Sequence, residues 1–282
     1  MMSSYRQLGP AAMLLVFAAA VLVPGVAVAG PFSFSDDFED GDISDWTTVT
    51  TGTGVVEVNT DRPLGGGLWS MHIESVEQGD QAYALGNAAT FLNLDCTKAY
   101  TIDFDFNYDK SEDPNGFHFL EVMAMNGPGG VSRQVGLYLD TPAAPPGNPY
   151  DKLVYRDAVP SNHNVAGLKE DVWYHLSIDV DPPTETYDLT VAGPAGTQQV
   201  YDWASSQWVN QAAVNDIPFI GAGQSGGFSA FRFGDRNADA VTYDHGEAYW
   251  DNIAVMQGTC IPEPAGLGLV GLAMTALRRK RR

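Results

Sequence analysis

Residues 101–108, TIDFDFNY, place Ile102, Phe104, Phe106 and Tyr108 on one side of an extended chain and Asp103, Asp105 and Asn107 on the other. This strict alternation predicts a strand with one face buried and the other wet. The same period recurs in GFHFLEVMAM (116–125), SRQVGLYLD (132–140), WYHLSIDV (173–180), TYDLTVAG (186–193), FSAFRFGD (228–235) and EAYWDNIAV (247–255). Between these runs lie KSEDPNG, NGPGG, TPAAPPGNP and DVDPPTET, rich in the residues that reverse a chain. Residues 201–213, YDWASSQWVNQAA, do not alternate, and they predict a short helix or an irregular connection. With many short strands, no β-α alternation and no internal repeat, the pattern predicts an all-β, antiparallel two-sheet sandwich in one domain over residues 30–258.

The two ends break this pattern. Residues 1–29 combine Arg6, an apolar stretch over 11–23 and the small residues Ala27, Val28 and Ala29, the build of a secretory signal peptide cleaved after Ala29. The last 24 residues, 259–282, run through Pro262, Glu263 and Pro264 into thirteen small or apolar residues and then RRKRR. Those thirteen predict a short hydrophobic helix of about 20 Å, less than the roughly 30 Å of a bilayer's hydrocarbon core.

Charge alters the list of partners. The chain has 35 acidic and 15 basic residues, and five of the bases are in the final five positions. Residues 30–277, with one further base in the leader set aside, keep nine bases against all 35 acids. Such a surface repels nucleic acid and anionic lipid, while calcium and neutral sugars remain compatible with it. Cys96 and Cys260 are the only cysteines, and the export signal favours a disulfide between them over a metal or redox site. Two thiols that never meet are the alternative.

Three segments carry a family resemblance: FSDDFEDGDISDWT (34–47), DVWYHLSIDVDPPTETYDLTVAG (171–193) and FRFGDRNADAVTYDHGEAYWDNIAV (231–255). Together they resemble concanavalin A-like, LamG-type jelly rolls of exported bacterial proteins. That resemblance implies a jelly-roll form of the sandwich, with its first and last strands close together and an acidic residue from each sharing a structural calcium. It nominates Asp37, Glu39 and Asp251 as the calcium ligands. A solvated acidic turn around Gly41 that binds nothing is the other reading of the same residues.

Other constellations are weaker. Asp235, Asn237 and Asp239 have the 1, 3, 5 spacing of an EF-hand loop, but Ala240 and Gly246 stand where that loop needs glycine and glutamate. GQSGG (223–227) matches the nucleophile-elbow pattern, yet strands flank it where the motif needs a helix. Asp103 and Asp105 share a strand face at a spacing compatible with glycoside hydrolysis, whereas Glu121 stands alone. No catalytic residue is therefore assigned. The five histidines lack zinc-site spacing. Trp46, Trp173 and Trp250 fall beside strand patterns and are expected in the core, leaving Trp69, Trp203 and Trp208 as candidates for stacking on sugar rings.

In its order and its position, the tail resembles a PEP-CTERM sorting signal. This implies processing near Pro262–Pro264 by an exosortase-type membrane enzyme, with transient membrane anchoring through the C-terminus and RRKRR held in the cytoplasm. The expected protein is exported to the bacterial envelope, cell surface or extracellular matrix, as a glycan-binding or structural component that meets extracellular polysaccharide. A polysaccharide-degrading glycanase or lyase is the alternative from another class, and a purely structural envelope protein without ligand is a third.

Overall fold

The computed structural model describes residues 32–75, 81–86, 94, 95, 97–109, 117–125, 131–140, 151–156, 162–220, 228–236 and 246–257. The segments expected to be a signal peptide (1–29) and a sorting signal with a short helix (259–282), and both cysteines, lie outside the described residues.

All the regular structure described is β. The first six strands are β1 (Phe32–Asp36), β2 (Thr47–Thr51), β3 (Val55–Asn59), β4 (Ser70–Ser75), β5 (Gln81–Gly86) and β6 (Tyr100–Asp109). Next come β7 (Phe117–Met125), β8 (Val131–Asp140), β9 (Asp151–Arg156), β10 (Asn162–Leu168), β11 (Tyr174–Asp181) and β12 (Thr186–Ala192). The chain then forms β13 (Val200–Asp202), β14 (Gln207–Val209), β15 (Gln211–Pro218), β16 (Phe228–Arg236) and β17 (Gly246–Gln257). The seven alternating runs in the sequence are β6, β7, β8, β11, β12, β16 and β17.

The strands build two antiparallel sheets. One has eight strands in the order β15-β12-β11-β6-β17-β4-β3, with β1 also paired to β17. The other has nine, in the order β14-β13-β10-β9-β8-β7-β16-β5-β2. The long strand β17 lies beside β6 and gives its first half to β4 and its second half to β1. The first and last described strands are therefore hydrogen-bonded neighbours, as the resemblance implied.

The alternation seen in the sequence becomes the core. Ile102, Phe104, Phe106 and Tyr108 of β6 are at most 1% exposed, and they join Leu176, Ile178, Leu189, Val191 and Trp250 from the same sheet. Val135, Leu137, Leu139, Phe231 and Phe233 come from the nine-stranded sheet. Phe233 meets Phe104 edge-on at 5.4 Å and Trp46 at 5.5 Å, so one β16 ring bridges the layers. Trp46 and Trp250 are core residues, whereas Trp173 is half-buried.

The expected helix or irregular connection at 201–213 is instead a tight hairpin, β13 and β14, followed by the start of β15. Asp202 caps the turn by accepting hydrogen bonds from the backbone N–H groups of Ala204 (3.1 Å) and Ser205 (3.0 Å), and Ser206 takes a positive φ of 56°. A hairpin this short pairs its apolar residues across the turn, Val200 with Val209 and Tyr201 with Trp208, so no long alternating run is visible along the chain.

Candidate functional site

The acidic turn after β1 folds on its own carboxylates. Asp36 accepts from Phe38 N–H at 2.9 Å and from the Trp46 indole N–H at 2.7 Å, tying β1 to the core tryptophan. Asp40 and Asp42 cap the next residues through Asp42 N–H (2.9 Å) and Ser44 N–H (2.8 Å). These are local turn interactions of the kind aspartate favours. Glu39 reaches across to a separate loop, where its carboxylate accepts from Leu68 N–H at 3.0 Å and Trp69 N–H at 3.4 Å. Gly67 makes this docking possible, because a Cβ there would collide with Glu39 Oε1.

Opposite this turn, a row of polar residues crosses the outer face of the eight-stranded sheet. His175 of β11 pairs with Asp105 of β6, which pairs with Asp251 of β17. The β17 register then slips between Asp251 and Ala254, and Asn252 occupies the irregularity with a φ of +49°. Asparagine tolerates that left-handed conformation better than most side chains. From there its amide donates to Asp105 Oδ2 at 2.8 Å, while Asp251 Oδ1 accepts from Asn252 N–H at 2.7 Å. His175 Nδ1 lies 3.1 Å from Asp105 Oδ1, and this contact raises the imidazole pKa above its ordinary value.

Asp251 is the electrostatic centre of the row. Only 3% exposed, its carboxyl is pushed up to about 7, first by burial and then by the charges of Asp105, Glu39 and Asp37, against the lowering effect of the Asn252 hydrogen bond. The structure thus brings the three nominated ligands Asp37, Glu39 and Asp251 into one electrostatic neighbourhood and adds Asp105. This oxygen-only donor set suits a hard cation. Among the described residues, however, no three or more His, Cys, Asp or Glu side chains gather tightly enough to hold a metal by themselves. Backbone carbonyls or waters would have to complete the shell.

The weaker candidates separate. Asp235 is part of strand β16, paired with Ala82 of β5, while Asn237 and Asp239 lie outside the described residues, as do Ser225 and Cys96 with Cys260. The flanks of the two cysteines nevertheless meet: Asp95 N–H donates to Gln257 Oε1 at 3.1 Å and Gln257 Nε2 donates to Asp95 O at 2.9 Å. Glu121 falls on β7 opposite Arg232 of β16, and its side chain is outside the described residues. Arg232 itself is 4% exposed, with its guanidinium 5.2 Å from the centre of the Tyr83 ring.

The three tryptophans proposed for sugar stacking also divide. Trp69 lies against Gly41 in the acidic turn. Trp203 and Trp208 come together around Tyr201, at ring separations of 5.3 and 5.6 Å, both edge-on. Val200 points into the core, so its neighbour Tyr201 and the paired Trp208 belong to the face of the nine-stranded sheet turned away from it. Lys169 places its ammonium 4.4 Å from the Trp208 ring centre, and Lys152 lies 6.0 Å from that of Trp203. Sequence reasoning missed Tyr201 and both lysines, since only strand register assembles them.

No protein-family model matches this chain, and no curated protein matches it. Solved structures do. An endo-β-1,4-glucuronan lyase from the fungus Trichoderma reesei superposes with a TM-score of 0.51 at 12% identity, over 80% of this chain and 95% of that one. A carbohydrate esterase from the Shiga toxin-encoding bacteriophage phi24B gives 0.49 at 14%, over 80% and 97%. The alginate lyase of Aplysia kurodai gives 0.44 at 11%, over 72% and 87%. The likeness to the glucuronan lyase is one of architecture, and the chain has a jelly-roll β-sandwich fold.

Proposed function

We propose that this chain is an exported glycan-binding β-sandwich of the bacterial surface or matrix, delivered by its signal peptide and by a PEP-CTERM-type tail that an exosortase-type enzyme processes. The observation that carries the glycan reading is the aromatic patch of Tyr201, Trp203 and Trp208, half-buried on the sheet face away from the core. Flat rings with polar edges suit the apolar faces of pyranose rings. The shared architecture with a glucuronan lyase agrees with this reading. The test is retention of the protein on a panel of immobilised polysaccharides. Wild type is expected to be retained on at least one, with retention lost in Trp208→Ala while the melting temperature stays within a few degrees. Absence of retention on every polysaccharide, with or without calcium, would support a purely structural envelope protein instead.

A calcium ion held by Asp37, Glu39 and Asp251 belongs to the same proposal. Its positive charge would offset the repulsion now concentrated on Asp251. Chelation is expected to lower the melting temperature at pH 8, and an unchanged midpoint would count against the ion.

The register also favours a second reading, a glycanase or lyase. Arg232 is a buried cation in mid-sheet, directly across from the acidic residue Glu121. Release of new reducing ends from a polysaccharide, abolished in Glu121→Gln, would establish that activity.

A further inference from the structure

The two sheets divide the charge of the body unequally. The strands of the eight-stranded sheet carry twelve acids, from Asp36 in β1 to Asp251 in β17, and no lysine or arginine. The strands of the nine-stranded sheet carry five acids and five bases, and Lys169 follows β10 directly. A chain that is strongly acidic as a whole is therefore near neutral along one sheet, and its outer face there includes two cations beside aromatic rings.

Strand register sets the order of that patch. Lys152 of β9 pairs with Gly167 of β10, Gly167 with Tyr201 of β13, and Tyr201 with Trp208 of β14. Gly167 adds no side chain, so the row reads as cation, gap, aromatic, aromatic. Lys169 closes it on one side, its ammonium donating to Gln199 Oε1 at 2.7 Å, and Trp203 closes it at the hairpin turn. All five side chains are half-buried. Among the described residues neither lysine is paired with a carboxylate, although the chain has 35 acids. Of the acids next to the patch in sequence, Asp151 is buried and accepts from the Tyr108 hydroxyl at 2.9 Å, Glu170 is exposed directly after Lys169, and the Asp202 carboxylate is held below the usual range by hydrogen bonds from the Ser205 side chain and the turn amides.

From this juxtaposition we infer that the Lys152, Tyr201, Trp203, Trp208 and Lys169 patch binds an acidic polysaccharide, one whose sugar rings carry carboxylates, rather than the neutral sugars that net charge alone suggested. The rings take the apolar faces of the sugars, and the two ammonium groups take the carboxylates in charge-assisted hydrogen bonds. Duplex DNA is a poor fit, because at one charge per roughly 1.7 Å it meets far more repulsion from the acidic body than a chain charged once per sugar. The inference rests on the glycan-binding reading above and specifies its ligand.

Affinity electrophoresis of the full chain through gels containing polygalacturonate, hydroxyethyl cellulose or duplex DNA tests it. Polygalacturonate alone is expected to retard the protein, and raising salt from about 50 to about 300 mM should reduce the retardation. The double variant K152Q/K169Q should weaken it about tenfold, the sum of two half-buried charge contacts, at an unchanged melting temperature. Retardation by hydroxyethyl cellulose but not polygalacturonate would overturn the acidic ligand and leave glycan binding standing. No retardation by either glycan would remove the glycan reading itself. Equal retardation by DNA, or full binding by K152Q/K169Q, would show that the patch is not an acidic-glycan site.

Discussion

Asp251 faces Asp105 directly across two antiparallel strands, a pairing of like charges that ordinarily destabilises a sheet. Its carboxyl, raised to about 7 from an ordinary 3.8, keeps its proton in the folded state where the unfolded chain has released it. The folded state then binds more protons between these values, so stability falls as pH rises from about 4 to about 7 and levels off above. In chelator, the melting temperature should decline over that window, and Asp251→Asn should flatten the decline and melt higher than wild type at pH 8. A variant with the wild-type slope would remove Asp251 as its origin. At this scale the sequence displayed a crowd of acids after residue 35 and an Asp-Asn pair near the end. It did not display Asp105 or His175 as their partners, because those contacts depend on the register slip that Asn252 absorbs.

Strands were legible in proportion to how strongly they alternate. Those with one fully buried face, such as β6 and β11, write their period into six or more residues. The thinner strands are different: β2, TTVTT, is exposed or half-buried throughout, and β3 has no fully buried position. The β13–β14 hairpin places three residues on each side of its turn, too few for a period to show. One glycine shows how tightly such strands are fitted. Gly234 of β16 has a φ of +97°, and a Cβ there would approach Ala82 O to 2.6 Å and two Ile73 carbons to 2.9 Å. Gly234→Ala should therefore cost roughly 2–4 kcal/mol, from the left-handed backbone and the overpacked junction together. Denaturant unfolding checks this, and a loss below about 0.5 kcal/mol would mean that the junction yields.

For the molecule as a whole, processing at the two ends and the expected Cys96–Cys260 bridge can be tested together. The reciprocal hydrogen bonds between Asp95 and Gln257 bring the chain flanking Cys96 near the chain flanking Cys260, and processing near Pro262–Pro264 would leave both cysteines in the mature protein. The intact mass of protein recovered from the cell envelope should correspond to a chain starting at Gly30 and ending near that motif, lighter by two hydrogens than its reduced form. Reduction should lower the melting temperature, since a closed loop of more than 100 residues contributes up to about 5 kcal/mol in the chain-entropy model. Free thiols in the envelope form would discard the bridge. The amino-acid sequence by itself determined the all-β class, the long strands and the acidic body, because alternation and charge are properties of neighbouring residues. Only tertiary structure decided which residues share a surface. Register placed Lys152 in one cross-strand row with Tyr201 and Trp208, and Asp251 beside Asp105, across separations of about fifty to 150 residues. Sheet order then kept bases off the eight strands that carry twelve acids, leaving the opposite sheet near neutral. Cross-strand pairing is non-local, so no window of sequence contains it.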